Sequence, residues 1–359
     1  MFTICALAIS DELMKAILSN DLENIYDGIG PIWGKLDRSR LFLTGGTGFF
    51  GRWLLRSFKH AYETHGINVE VVVLSRDPLA LAKSEPELFG CDRFTFIEGD
   101  VSSFEFPQGS FDYVIHAAAD SSNYVLKNDP ITMCKSIIYG AYRVLDFARA
   151  SPSARVLFVS SGATYGGVHY DHELILESWL GNPVDLLDVR GAYTETKRIS
   201  EMLCTVYGHQ LGLRATIARC FSFIGPGLPL DANYAVGNFI GNVLDGKKIL
   251  VRGSGLERRS YLYTSDLVVW LLTLLVRGDD GIAVNVGSDK AYSIAEVAAT
   301  VSEVLGGVGV EQSEEAKMMP VQNHYIPSVE LARDRYGLQQ TVNLEEGIRR
   351  TAVCVGWTA

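Results

Sequence analysis

Three stretches of this sequence combine residue types and spacings that chemistry needs. The first is Thr44-Gly45-Gly46-Thr47-Gly48-Phe49-Phe50-Gly51, set between the apolar Leu41-Phe42-Leu43 and the helix-like Arg52-Trp53-Leu54-Leu55. Its glycines open a helix directly after a strand. Gly45 permits the tight turn, Gly48 lets the backbone approach a pyrophosphate, and Gly51 lets the helix lie close to the sheet. The helix start offers free N–H groups and the positive end of the helix dipole to phosphate. This is the arrangement for holding a dinucleotide, with Thr47, Phe49 and Phe50 as further candidate contacts on the same loop.

The second is Tyr193-Thr194-Glu195-Thr196-Lys197, which places a phenol and an ammonium four residues apart on one helix face. A free phenol ionises near pH ~10 and is a poor base at neutrality. A neighbouring ammonium, with the positive ring of an oxidised nicotinamide, stabilises phenolate and lowers that value. Lys197 is also placed to hold the nicotinamide ribose. The third is Val159-Ser160-Ser161-Gly162-Ala163-Thr164-Tyr165-Gly166, where a serine hydroxyl at a strand end lies on the sheet edge that binds ligands. Such a hydroxyl holds a substrate oxygen while Tyr193 moves the proton.

The elements that must position these groups alternate. Short β-rich runs at Leu41–Thr44, Glu70–Leu74, Phe94–Ile97, Tyr113–His116, Val156–Ser160 and Arg214–Arg219 are separated by helical patterns at 49–63, 78–84, 130–150 and 193–210. That rhythm predicts a Rossmann-like α/β fold: a doubly wound parallel sheet covered on both faces. The dinucleotide-binding domain is expected over 39–225. A smaller C-terminal α/β substrate lobe is expected over 226–359, its boundary not clean, with helices at 234–246, 266–276, 293–305 and 343–354 and strands near 248–251 and 283–286. Residues 1–38 form a helical extension before the main fold, and Met14 is an alternative start.

At the end of the second strand an acidic residue reads the free ribose hydroxyl of NAD, and an arginine the 2′-phosphate of NADP. Here stand Ser75 and Arg76, which favour NADP(H), followed by Asp77, which keeps NAD(H) open. Asp100 and Val101 follow the third strand, with Asp100 a candidate acceptor for the adenine amino group. Ala117 and Ala118 follow His116 and allow close cofactor approach, while His116 itself takes a structural role.

Composition narrows the partners. The chain has 359 residues with a formal charge of −10, a poor match to nucleic acid or an anionic membrane surface. Its longest apolar stretch, Leu267 to Val276, is about half of what crosses a bilayer. The six cysteines are scattered with no C-x-x-C pair, and Phe2 to Ile9 lacks a basic flank, so reduced thiols and a cytoplasmic location are expected. No metal site is expected: His169 and His172 lie near Asp171 without a further Cys/His group to complete a ligand set.

In order and spacing, Thr44–Gly51, His116–Asp120, Ser160–Gly166 and Tyr193–Lys197 resemble the extended short-chain dehydrogenase/reductase family, of the NAD-dependent epimerase/dehydratase type acting on nucleotide sugars. The similarity continues through Arg219–Pro226, Gly253–Asp266 and Asn285–Ser288. The resemblance implies that Tyr193 is the active-site acid or base, Lys197 its partner, and Ser161, rather than Ser160, the substrate-positioning hydroxyl. It implies a nucleotide-diphosphate sugar substrate contacted by Arg259 at the pyrophosphate and by Ser121, Ser222 and Asn238, and a homodimer built on the helices at 130–150 and 193–210. Two departures matter. In the family's 4,6-dehydratases Asp-Glu follows the catalytic hydroxyl, whereas this chain has Gly162 and Ala163, which argues against dehydration; Ser222 stands where relatives often carry Asn.

The resulting expectation is redox chemistry at hexose C4, slightly favouring an NADPH-dependent 4-keto-6-deoxyhexose reductase over a 4-epimerase that retains its cofactor. A non-catalytic cofactor-binding regulator is the alternative of another class; the intact Ser161, Tyr193 and Lys197 argue against it.

Overall fold

A computed structural model of the chain describes residues 2–119, 128–167, 174–231, 234–307, 309–321 and 324–357, with side chains from residue 12 onward. Seven strands form one parallel sheet: β1 (Arg40–Thr44), β2 (Glu70–Ser75), β3 (Phe94–Glu98), β4 (Tyr113–His116), β5 (Arg155–Ser161), β6 (Arg214–Cys220) and β7 (Ala283–Val286). Their order is β7-β6-β5-β4-β1-β2-β3. The order reverses between β1 and β4, which pair in parallel from Leu41 opposite Tyr113 to Thr44 opposite His116. Ligands bind beyond the carboxyl ends of strands at such a reversal.

Alternate residues of each strand enter different cores, because successive side chains point to opposite faces. Leu41, Leu43, Val71, Val73, Ile115 and Leu157 face one layer, with helices α1 (Phe2–Ile29) and α2 (Phe49–His65). Phe42, Val72, Leu74, Val114, Val156 and Phe158 face the other, beneath helices α3 (Pro130–Arg149) and α4 (Ala192–Leu211). Both sides of the sheet are therefore dry, and the strands carry continuous apolar runs for that reason.

A third core gathers Leu228, Phe239, Ile240, Val251, Val297 and Ile348. It joins helices α5 (Ala235–Leu244), α7 (Ile294–Val304) and α8 (Leu344–Val353) to the short strand Ile249–Val251. Between α5 and α7, helix α6 (Thr264–Arg277) leaves this lobe and buries Leu267, Trp270, Leu271 and Leu274 in the main core. Strand β7 follows it and closes the main sheet beside β6. The chain thus crosses between the two lobes repeatedly after residue 226, returning to the main core once more at Val329, Ala332 and Tyr336 before α8, and sequence order does not divide them.

The N-terminal segment is more than an appendage. Helix α1 continues to Ile29, and Ile25, Ile29, Ile32, Trp33 and Leu36 all enter the main core. Asp21, fully buried, accepts a 2.6 Å hydrogen bond from the Tyr263 hydroxyl and pairs with Arg350 on α8. Burial raises the Asp21 carboxyl, and Tyr263 and Arg350 oppose that rise. One buried carboxylate so ties the first helix to α6's threshold and to the last helix.

Candidate active site

The candidate cofactor cleft opens above the carboxyl ends of β1, β2, β3 and β4. Gly45, Thr47 and Gly48 form one wall, Ser75 and Arg76 the second, Asp100 and Val101 the third, and Ala117 and Ala118 the floor. Its glycine loop is packed to its limit. Gly45 has φ +76°, and a Cβ there would stand 2.7 Å from the carbonyl of Ala117. A Cβ on Gly51 would stand 2.3 Å from the Gly45 oxygen and the Gly46 Cα, so a side chain at 51 drives α2 off the loop. The residues present fit a dinucleotide: α2 is N-capped by Gly48 with no side-chain cap, which leaves its first N–H groups for a phosphate.

Phe49 and Phe50 stand apart from the cleft walls. The ring of Phe50 meets Phe223 edge-on at 4.9 Å and Phe49 packs toward the third core, so their backbone alone serves the helix start. Asp77 accepts from Ala80 N–H at 3.0 Å and caps the helix Pro78–Ser84, which turns its carboxylate to its own backbone. Asp100 likewise takes the N–H and hydroxyl of Ser102 on one oxygen, and these bonds lower its carboxyl below the ordinary value. His116 sits at the border of the cleft, bonded to Thr44 Oγ1 at 2.8 Å and held neutral: burial pushes its imidazole down to about 3.

The candidate catalytic wall is built by β5, β6 and α4. Ser160 and Ser161 are neighbours on β5 and point to opposite sides. Ser160 donates to buried Glu201 at 2.5 Å, and Glu201 is gripped by Arg219, whose Nη1 donates to Tyr165. Tyr165 in turn donates to Asn285 at 2.8 Å, on β7. Ser161 points away from Glu201, takes the Ala163 N–H at 3.1 Å and stands beside the Tyr193 phenol. Burial raises the Tyr193 phenol to about 12, and the Ser161 hydroxyl opposes it.

Lys197 stands one turn after Tyr193 on α4. Its Nζ donates to the Val159 carbonyl at 3.1 Å, which anchors the ammonium to β5, and burial lowers its pKa to about 8.

On the substrate side, the Arg259 guanidinium lies 5.8 Å above the Tyr325 ring. Ser222 and Asn238 are both half-buried, on the loop after β6 and on α5. Ser121, His169 and His172 lie outside the described residues. Among the described residues, the metal-capable group is Glu23 with His60 and His65, where one carboxylate bonds both imidazoles at 3.0 and 3.1 Å and pins α1 to α2, away from this wall.

Sequence reasoning overlooked Tyr325, Phe221, Glu201 and Arg219. The signal for the first two was Gly162 itself: a side-chain-free residue beside a candidate catalytic hydroxyl leaves space that something must fill. Tyr325 fills it from the C-terminal segment, and its ring lies 4.6 Å from Phe221.

Comparison with known proteins agrees with this geometry. The family model described as the NAD dependent epimerase/dehydratase family matches residues 41–287. UDP-glucuronic acid decarboxylase 6 of Arabidopsis thaliana is 30% identical over 312 residues, 86% of each chain. The dTDP-glucose 4,6-dehydratase of Bacillus anthracis, solved in complex with NAD, shares the fold with a TM-score of 0.73 at 18% identity, over 88% of this chain and 96% of that one. A UDP-galactose 4-epimerase structure gives a TM-score of 0.69 at 25% identity, over 88% of this chain and 98% of that one. With the matched segment spanning the glycine loop, the Ser161 strand and the Tyr193 helix, this chain belongs to the NAD-dependent epimerase/dehydratase family.

Proposed function

We propose that this protein is an NAD(P)-dependent oxidoreductase of a nucleotide-diphosphate sugar, acting at hexose C4. The observation that carries this reading is the pairing of Ser161 on β5 with Tyr193 on α4 in a chain whose glycine loop opens a cleft fit for a dinucleotide. A bound nicotinamide supplies the hydride acceptor or donor. Tyr193 moves the proton on the C4 oxygen, and Ser161 holds that oxygen. Lys197, anchored on Val159, is placed to grip the ribose, and Arg259 to pair with the sugar's diphosphate.

The finer reading is NADPH-dependent reduction of a 4-keto-6-deoxyhexose. Arg76 lines the cleft at the ribose end of β2, while Asp77 is committed to capping its helix. Ser161 is followed by two residues with no proton to give, Gly162 and Ala163, which leaves redox at C4 as the chemistry the wall supports. A second reading, decarboxylation of UDP-glucuronic acid, is favoured by the 30% identity to the plant decarboxylase over most of both chains. Oxidation at C4 turns a C5 carboxylate into a β-keto acid, which loses carbon dioxide readily. A 4-epimerase that retains its cofactor uses the same first step.

A homodimer is part of the proposal. Tyr139, Tyr142, Ile199, Met202 and Val206 stand exposed along α3 and α4, which pack side by side, and a shared apolar strip of this kind fits a second copy.

The experiment offers the purified protein NADPH or NADH with a dTDP-4-keto-6-deoxyhexose, and separately NAD+ with UDP-glucuronic acid or UDP-glucose, following nicotinamide absorbance and sugar products by NMR. Oxidation of NADPH by the keto sugar, lost in preference to NADH on Arg76→Ala, supports the reductase. Carbon dioxide and a UDP-pentose without net change in the nicotinamide replace it by the decarboxylase, and UDP-galactose replaces it by the epimerase. Failure with every sugar while the protein still binds nicotinamide nucleotide counts against C4 chemistry altogether.

A further inference from the structure

At the end of α2 opposite the glycine loop, two imidazoles converge on a carboxylate of α1. His60 Nε2 lies 3.0 Å from Glu23 Oε1, and His65 Nε2 lies 3.1 Å from Glu23 Oε2. One ligand atom from each of the three residues lies within 4.8 Å of the other two. The sequence spacing conceals this: helical metal pairs stand four apart, whereas residues five apart diverge by about 140° on a regular helix. His65 still reaches Glu23 from the last position of α2, before Gly66 at φ +73°. Its ring stacks on Tyr26 of α1, with centroids 3.5 Å apart and planes 8° from parallel. His60 meets the same ring edge-on, with centroids 5.6 Å apart. All three side chains are partly exposed, so an ion reaches them from solvent.

We propose that Glu23, His60 and His65 form a site for a divalent cation of the zinc class, which clasps α1 to α2. Two neutral imidazoles and a carboxylate are a donor set that Zn2+ takes, with water in the fourth position. Bonds of about 2.0–2.1 Å to one ion place tetrahedral ligand atoms about 3.3–3.4 Å apart, and both carboxylate–imidazole spacings stand close to that. When the ion enters, each Nε2–H proton leaves to solvent and the freed lone pair binds the metal. The carbonyl end of α2 adds negative potential beside it. The clasp complements one already described. Asp21 lies two residues before Glu23, about 200° round the helix, and holds the other side of α1 to Tyr263 and Arg350. The ion is structural: His60 lies twelve residues beyond Gly48, about 18 Å along α2 from the glycine loop.

The test needs neither sugar nor nicotinamide. Full-length protein stripped with a chelator is titrated with Co2+, whose visible spectrum reports its ligands, and with Zn2+ by calorimetry. One equivalent of each is expected to bind, the Co2+ form showing nitrogen and oxygen ligation without a thiolate charge-transfer band. Saturating Zn2+ should raise the unfolding temperature by roughly 3 °C or more, and chelator should reverse the rise. His60→Gln and His65→Gln should each weaken Zn2+ at least about tenfold. Glu23→Gln keeps the size of the side chain and removes its charge, and should weaken Zn2+ likewise while circular dichroism shows the metal-free fold intact. Failure of the parent protein to take up either ion overturns the proposal and leaves hydrogen bonds alone to join α1 and α2. A thiolate band overturns it by placing the ion on a cysteine. So does undiminished affinity in the Glu23 and histidine variants, or a site lost instead with His169→Gln or His172→Gln.

Discussion

The candidate cofactor cleft and the candidate catalytic wall are made in opposite ways. The cleft is built from backbone: short contiguous loops at the ends of β1, β2, β3 and β4, each carrying its contacts within a few residues. Two acidic side chains beside it serve the loops themselves: Asp77 caps a helix and Asp100 closes a turn on Ser102. The wall is built from side chains delivered by distant segments, Ser161 from β5, Tyr193 and Lys197 from α4, Phe221 from the end of β6 and Tyr325 from the C-terminal segment. Behind it, Ser160, Glu201, Arg219, Tyr165 and Asn285 hold one another in a polar chain that runs to β7. A backbone site survives wherever the strand–loop–helix unit folds; a side-chain site exists only when the whole sheet and both lobes have closed.

The largest expected effect separates the two regions cleanly. Tyr193→Phe should lower turnover by about 10³-fold, within the usual range for a positioned acid or base, while NAD+ affinity changes less than about twofold. Turnover kinetics with calorimetric NAD+ binding check it, and a parallel collapse of NAD+ binding would merge cleft and wall into one unit. Next in size is the converse change. Gly51→Ala places a methyl 2.3 Å from the Gly45 oxygen and should weaken NAD+ binding at least about tenfold, with about 1–3 kcal/mol of stability lost to overpacking. Retention of full NAD+ affinity by that variant would break the claim that the loop backbone makes the cleft.

A third effect lies at the border. His116 is held at about 3 in the fold against 6.5 for an unperturbed imidazole, by burial. Below pH 6.5 the unfolded chain takes a proton that the folded chain refuses, so this residue's contribution to stability falls with falling pH. The slope is about 1.4 kcal/mol per pH unit until the folded pKa is approached. His116→Asn should remove that part of the slope, so urea midpoints of parent and variant should converge between about pH 6 and about pH 4. Parallel midpoints across that range would mean the imidazole is not the buried neutral group that joins cleft to wall.

These contrasts also explain what could be read in advance. The glycine loop, the Tyr193–Lys197 spacing and the strand-end serines are local patterns, and the alternation of strands and helices announced the parallel sheet around them. Helix Pro78–Ser84 and strands Tyr113–His116 and Ala283–Val286 carry the bounds their patterns predicted. The lobe to which Ala283–Val286 belongs was not legible, since a four-residue apolar run pairs equally well with any open sheet edge. Nor was the burial of Ile25, Ile29 and Trp33, because an amphipathic helix announces an apolar face but not the surface that will cover it.

The sequence by itself determined the fold class, the dinucleotide loop and the identity of the phenol, ammonium and hydroxyl groups, since each depends on neighbours within a turn or two of the chain. Tertiary structure alone decided how those groups are used. It turned Ser160 to Glu201 and Ser161 to Tyr193, anchored Lys197 on a carbonyl, and spent Asp77 on a helix cap. It also brought Tyr325 into the space beside Gly162. Burial, direction and hydrogen-bond partnership are properties of the closed molecule: they arise from contacts between segments far apart in sequence, which no local pattern encodes.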